Sequence, residues 1–326
     1  MSTSVETTSI IKDFSKQASP GNRQAARNYF RRYWTLYLLL LLPIAYFIVF
    51  KYIPMLYIQI AFKKYSIVKE LWEMPWAANN GMEFFIKAFS NRDFLFSLRN
   101  TVMLNLLDLV VGFPAPILLA IVLNEVRIKW FKGFTQTIAY MPHFLSWIIV
   151  AGLATQIFAP TTGIVNNALD ALGFERLHFL DDKTNWVVTY VLLGVWKNIG
   201  WNTIIYLAAI TGINPELYEA AAIDGAGRLR RIWHVTLPGI RSTIVVLFII
   251  ALGYILGSEF DRPYTLGNPL VNNVSSVIAS VVYNFGIRGL QFSMTTAVGL
   301  FQSVISVAFL LAADKLAKKF GERGIV

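Results

Sequence analysis

The stretch WKNIGWNTIIY, Trp196 to Tyr206, sets Lys197, Asn198 and Asn202 among three aromatic rings inside an apolar run. Flat aromatic faces suit the apolar faces of sugar rings, while amide and ammonium groups serve hydroxyls or carboxylates. Trp196, Asn202 and Tyr206 fall at helical spacing on adjoining faces, with Trp201 beside them. The same residues serve equally as interface anchors, with Lys197 snorkelling to headgroups. Further polar or aromatic groups in apolar runs are Trp147, Gln156, Tyr254, Glu259 and Gln302. Asp108 also lies deep in such a run, where a carboxylate is either functional or paired with a neighbouring helix. The candidate substrate path is Trp147, Gln156, Trp196, Lys197, Asn198, Trp201, Asn202, Tyr206, Tyr254, Glu259 and Gln302, without Asp108.

Covalent chemistry finds no support. GxSxG, HExxH and GxxxxGK[ST] are all absent. His143, His178 and His234 have no ligand-like spacing and there is no cysteine, so no metal site is expected. Asp224-Gly225-Ala226-Gly227 follows a helix pattern where a nucleotide loop would follow a strand. We expect no catalytic residues and no cofactor held by this chain.

The elements that must position these groups are membrane spans. The chain has 326 residues, 56% of them hydrophobic and 15% charged, with mean hydropathy +0.53. A soluble fold of this length needs more polar surface. Six apolar runs approach the roughly 20 residues that cross a bilayer. They are Thr35–Tyr57, Leu98–Leu123, Phe134–Phe158, Trp186–Ile210, Leu237–Gly257 and Ser293–Leu311. The fold class is therefore an all-α polytopic membrane protein. Gly253 and Gly257 form GxxxG, a pattern that permits close helix packing.

The net charge is +10, from 29 Lys+Arg against 19 Asp+Glu. Its distribution points to anionic lipid and away from nucleic acid. Residues 1–34 hold Lys12, Lys16, Arg23, Arg27, Arg31 and Arg32 and read as a basic cytoplasmic tail without a signal-peptide pattern. Arg127, Lys129 and Lys132 mark the next inside loop, Arg228, Arg230 and Arg231 another, and Lys315, Lys318, Lys319 and Arg323 the C-terminal end. Both termini are thus expected in the cytoplasm. The expected organisation is a first span and long outer loop over 35–97, a five-span core over 98–316 and a basic tail over 317–326. Outer loops about Ile58–Ser97, Ala159–Asn185 and Ser258–Phe292 are rich in Trp, Phe, Asn and Gly, as interfacial belts or as a docking surface.

Between the fourth and fifth spans, over 212–238, lies YEAAAIDGAGRLRRIWHVTLP. Asn214-Pro215-Glu216 starts a helix by side-chain cap, first-turn proline and dipole. Ala220, Ala221 and Ala222 leave it slim, and Gly225 and Gly227 stop it. A second short helix is expected over Arg228 to Val235, with Thr236, Leu237 and Pro238 beginning the next span. On composition alone this is either a docking element or an amphipathic connector on the membrane.

Glu219-Ala220-Ala221, Gly225 and the Val235-Thr236-Leu237-Pro238 end resemble the EAA loop of ABC importer permeases. The family usually has isoleucine at the position of Val235. The wider resemblance covers roughly Leu98 to Leu316, and SLRNTVMLNLLDLVVGFPAPILLAIVLNE with RRIWHVTLP is similar to the LplB-type oligosaccharide branch, near alginate and pectin oligosaccharide permeases. The resemblance implies a type I importer permease fold in the bacterial cytoplasmic membrane. It implies a second homologous permease, two cytoplasmic ATPase subunits that bind ATP and Mg, and an extracytoplasmic solute-binding protein. Glu219, Ala220, Ala221, Asp224, Gly225, Arg228 and Pro238 would then couple to the ATPase, with Glu219 facing a basic residue there. Relatives handling uronate polymers extend this to acidic oligosaccharides, with Lys197 facing a uronate. The alternative from the residues is an ion-coupled secondary transporter or channel, which predicts more charged clusters within spans. A membrane enzyme is a third reading and has no motif.

Overall fold

Backbone polar groups in a bilayer must be satisfied within the chain, and helices do so locally. The computed structural model is accordingly helical over the residues it describes, 23–257, 259–319 and 321. Lys12, Lys16, Ser258 and Arg323 lie outside them. Two units divide the chain, Met1–Ile58 and Gln59–Val326. In the first, α1 (Arg23–Phe47) passes through Pro43 and continues as a π-helical turn, Ile48–Tyr52, and a short helix, α2 (Ile53–Leu56). Its leucines Leu36, Leu38, Leu39, Leu40, Leu41 and Leu42 are all exposed, the state of side chains that face lipid.

The second unit opens with a loop closed by an isolated antiparallel bridge between Lys63 and Trp76. Helix α3 (Glu83–Ser90) follows. The Glu83 carboxylate accepts from Lys87 Nζ at 2.7 Å and from the Ala78 N–H at 2.9 Å. Those bonds, the Lys87 one first, hold its carboxyl at about 2, below the ordinary 4.5. Helix α4 (Arg92–Leu107) runs through a π-helical turn, Asp108–Gly112, into α5 (Pro114–Glu125). Helices α6 (Lys129–Tyr140), α7 (Trp147–Ile157) and α8 (Ile164–Ala171) lead to the longest helix, α9 (Lys183–Thr211). Then come α10 (Pro215–Ile223), α11 (Arg228–Arg231), α12 (Leu237–Gly239) and α13 (Arg241–Gly253). Short helices α14 (Asp261–Leu266), α15 (Asn272–Ser275) and α16 (Ile278–Val281) precede α17 (Phe292–Lys319).

Three helical runs are long and apolar enough to cross a membrane: Asn28–Phe62, Arg92–Glu125 and Phe292–Lys319. They contain the first, second and sixth expected spans. The fourth corresponds to α9, whose 29 residues rise about 43 Å. Its length suffices, but Lys197, Asn198 and Asn202 keep it from that apolar set.

The other expectations need correction. The third span is not continuous: Lys129–Phe144 and Trp147–Ile157 meet at 104°. Pro142 sits in a tight turn, Leu145 and Ser146 are extended, and Ser146 Oγ caps the new helix at Ile149 N. The fifth span does not begin at Leu237. The helix from Arg228 passes through a π-helical turn, Ile232–Thr236, and reaches Gly239 before a 60° bend. Within the expected outer loop Ser258–Phe292, Pro269–Ser275 and Ile278–Arg288 form a helical pair bent by 119°. The GxxxG reading also fails, because α13 ends at Gly253 and Gly257 lies beyond it. At Gly253 alone a neighbouring helix comes close, since an added Cβ would lie 3.0 Å from Leu310 Cδ1.

Helix α9 organises the core. Its N-terminal half contributes Trp186, Tyr190 and Val191 to a cluster with Leu104, Trp147, Val150 and Val271. Its C-terminal half contributes Tyr206, Leu207 and Ile210 to a second cluster with Ile117, Ala120 and Ile240. Gly200 permits the approach of the preceding segment: an added Cβ would stand 2.0 Å from the Ala139 carbonyl oxygen.

Candidate functional site

Between the two clusters α9 presents Asn198 and Asn202, one turn apart, to a polar cavity of about 310 Å³. The opposite walls are Asn105 and Asp108 from the second span, Tyr254 past the end of α13, and Glu259 and Arg262. The chain unwinds after Gly253, which exposes carbonyls that a helix would have satisfied. Asn105 Nδ2 donates to Ile255 O at 2.8 Å and to Gly257 O at 2.9 Å. Gln302 Nε2 donates to Leu256 O. Broken helix at membrane depth is tolerated where protein satisfies it or it lines a cavity, and both hold here.

Arg262 anchors the segment beyond the break. Its Nη1 donates to Asp108 Oδ2 at 2.6 Å and its Nη2 to Asp108 Oδ1 at 3.2 Å. Nη2 also donates to Tyr190 O at 2.5 Å, and the guanidinium lies 3.6 Å from the Tyr190 ring centroid. The seat exists because residue 194 is glycine: an added Cβ would come within 2.2 Å of Nη2. Asp108 begins the π-helical turn of the second span, a distortion that recurs at functional sites.

The structure separates the residues singled out from sequence. Asn198, Asn202, Tyr254 and Glu259 line one cavity. Trp147 and Lys197 are buried beside it. Trp147 Nε1 donates to the Glu259 carboxylate. Lys197 Nζ donates to His143 O at 2.8 Å and sits 5.4 Å from the Trp147 ring centroid. Trp201 stacks on His143 at 4.6 Å, and His143 Nδ1 lies 3.2 Å from Asn198 Oδ1. Trp196 instead borders an apolar cavity of about 570 Å³ with Val150, Leu153 and Leu192. Gln156 is exposed on α7, Tyr206 is buried in the second cluster, and Gln302 braces the break. Sequence reasoning missed Arg262 and Asn105. The available signal for Arg262 was Asp108 itself, since an intramembrane carboxylate calls for a cationic partner.

The stretch between α9 and α13 has separate geometry. Asn214 Oδ1 accepts from Glu216 N at 3.1 Å. Helix α10 ends in paired bonds from Gly225 N to Ala222 O, 3.1 Å, and from Ala226 N to Ala221 O, 2.9 Å. This is the Schellman arrangement, with Gly225 at φ +75°. Tyr218 Oη lies 3.0 Å from Thr236 Oγ1, which ties α10 to the π-helical turn. Glu219, Ala220, Asp224, Arg228 and Pro238 are exposed and Ala221 is half-buried. Around them Leu217, Ile223, Leu229 and Trp233 are exposed, Ile223 at 87%. Exposed apolar side chains in such a group lie against a partner or against lipid.

The described residues thus form a helical membrane protein with a small cavity at a broken span and an exposed helix pair elsewhere in the chain. The chain belongs to the family of binding-protein-dependent transport system inner membrane components, whose model matches residues 112–322. It is 44% identical over 290 residues to the polygalacturonan/rhamnogalacturonan transport system permease protein YteP of Bacillus subtilis, covering 89% of each chain. Identity to the protein LplB of the same organism is also 44%, over 89% of this chain and 90% of that one. Among solved structures, it is similar to a chain of a bacterial ABC transporter involved in the import of the acidic polysaccharide alginate. That match has TM-score 0.83 and 38% identity over 91% of this chain and 99% of the other.

Proposed function

We propose that this chain is the membrane-spanning permease subunit of an ATP-driven importer for oligosaccharides, uronate-containing ones among them. The observation that carries the reading is the exposed α10–Gly225–α11 element, built within a family of binding-protein-dependent transport components. A slim helix with a fixed glycine stop is a rigid body that can sit in a groove and transmit displacement. Glu219, Ala220, Ala221, Asp224, Gly225, Arg228 and Pro238 form the surface that meets the ATPase. The working assembly adds a second homologous permease, two ATPase subunits that bind ATP and Mg, and an extracytoplasmic solute-binding protein. The chain itself catalyses no covalent step. The lysine and arginine distribution supports both termini in the cytoplasm of a bacterial cell, with this element on the same side.

The substrate class is supported by the cavity and by the relatives. Asn198, Asn202 and Tyr254 offer amide and hydroxyl groups beside a ring, the chemistry of sugar recognition. YteP is named for polygalacturonan and rhamnogalacturonan, and another similar structure is an alginate transporter in complex with an alginate pentasaccharide-bound periplasmic protein. The test is uptake by the complete complex in proteoliposomes. A uronate oligosaccharide should accumulate only with ATP on the ATPase side and the loaded binding protein on the other. Accumulation driven by an ion gradient without ATP would overturn the proposal.

A further inference from the structure

We propose that Arg262 selects acidic substrates in the membrane by exchanging the Asp108 carboxylate for a carboxylate of the sugar. This rests on the proposed import of uronate oligosaccharides and assigns the charge selection to one residue. Among the described residues lining the polar cavity, Arg262 is the lone cation. Lys197, the cation that the sequence brings forward, is turned to His143 O behind Trp147.

The two members of the ion pair are held unequally. The Arg262 side chain is 4% exposed and that of Asp108 29%. Arg262 is fixed by the Tyr190 carbonyl, the Tyr190 ring and the space above Gly194. Asp108 stands at the start of an irregular helical turn followed by Pro114 and Pro116, and it faces the cavity. The guanidinium therefore stays while the carboxylate can leave. Arg262 Nε is buried without a hydrogen-bond partner, so its donors exceed what this arrangement satisfies.

The occupied fork dictates an exchange over simple addition. Both terminal nitrogens of Arg262 are engaged by Asp108 and the Tyr190 carbonyl, so an added carboxylate would meet Asp108 with the fork taken. A carboxylate that takes Asp108's seat recovers the charge-assisted fork at the guanidinium, while Asp108 turns to the amides of Asn105, Asn198 and Asn202 in the cavity wall. A neutral sugar gains nothing from displacing Asp108, so the pair remains closed to it. Specificity then arises from an unfavourable wrong-partner state as well as a favourable right one.

The experiment compares a uronate oligosaccharide with its carboxyl-reduced, neutral form, using the complete complex in proteoliposomes and one loaded binding protein throughout. Preference exerted by the binding protein cancels between parent and variant. In Asp108→Asn/Arg262→Gln, the ratio of acidic to neutral uptake should fall by about tenfold or more, through KM for the acidic form. If the pair is merely a structural strap, both substrates change together and the ratio stays, which would overturn the proposal. Should that double variant not assemble, Gly194→Ala decides. It retains both charges and pushes the guanidinium from its seat, so the ratio should fall several-fold, and an unchanged ratio again overturns the exchange. A parent complex that imports neither form refutes the import reading instead.

Discussion

The polar cavity and the α10–α12 element make opposite use of sequence. The determinants of the helix pair lie within a single stretch, from the Asn214 cap through the Gly225 stop to Thr236, which Tyr218 reaches. The cavity draws Asn105 and Asp108, Asn198 and Asn202, and Tyr254 through Arg262 from segments far apart in the chain. One presents apolar side chains outward, and the other hides charge in a membrane-spanning core. A surface that receives a partner can be specified locally. A cavity between helices is specified by pairings among them, and a single change there exposes an unpaired charge.

That contrast can be broken experimentally, with the largest effect at the cavity. Asp108→Ala leaves Arg262 buried without its carboxylate. The loss of stability should fall toward the low end of about 3–5 kcal/mol for a broken buried pair, because the Asp108 side chain is 29% exposed. Thermal unfolding of the purified complex measures it, and a shift within error would mean that the pair contributes little to the closed arrangement. At the helix pair, Tyr218→Phe removes only the bond to Thr236, worth about 1 kcal/mol. Its expected consequence is a loss of stability of about that size, well below that of Asp108→Ala, together with a several-fold weaker hold on the ATPase. If Tyr218→Phe destabilises the fold more than Asp108→Ala, the division between the two regions is wrong.

The same contrast explains what could be read in advance. Four of the six expected spans, the first, second, fourth and sixth, have direct counterparts in the helices, because apolar length is a local property. The Asn214 start and Gly225 stop were legible for the same reason. The bend at Leu145 was not, because one apolar run continues across it and only Pro142 and Ser146 signal a break. The helices inside 258–292 were hidden by turn-forming residues such as Gly267, Asn268 and Pro269. Lys197 was visible as a buried ammonium, but its orientation depends on His143 O, 54 residues away. Arg262 read as a loop residue because its partner Asp108 lies 154 residues earlier. Nothing local marks Gly194 and Gly200 either, since what requires them is the approach of Arg262 and of Ala139.

On the proposed reading force enters the protein at α10, and retention of the ATPase shows whether it does. The complex is purified through a tag on this chain, with Glu219→Arg/Gly225→Val beside the parent. The arginine places a cation against the basic partner surface expected from the family resemblance. The valine must adopt the φ of +75° that glycine holds at 225. The parent should retain the ATPase, and the variant, with its helical content intact, should lose nearly all of it. Undiminished retention by the variant would mean that α10 is not where the ATPase docks.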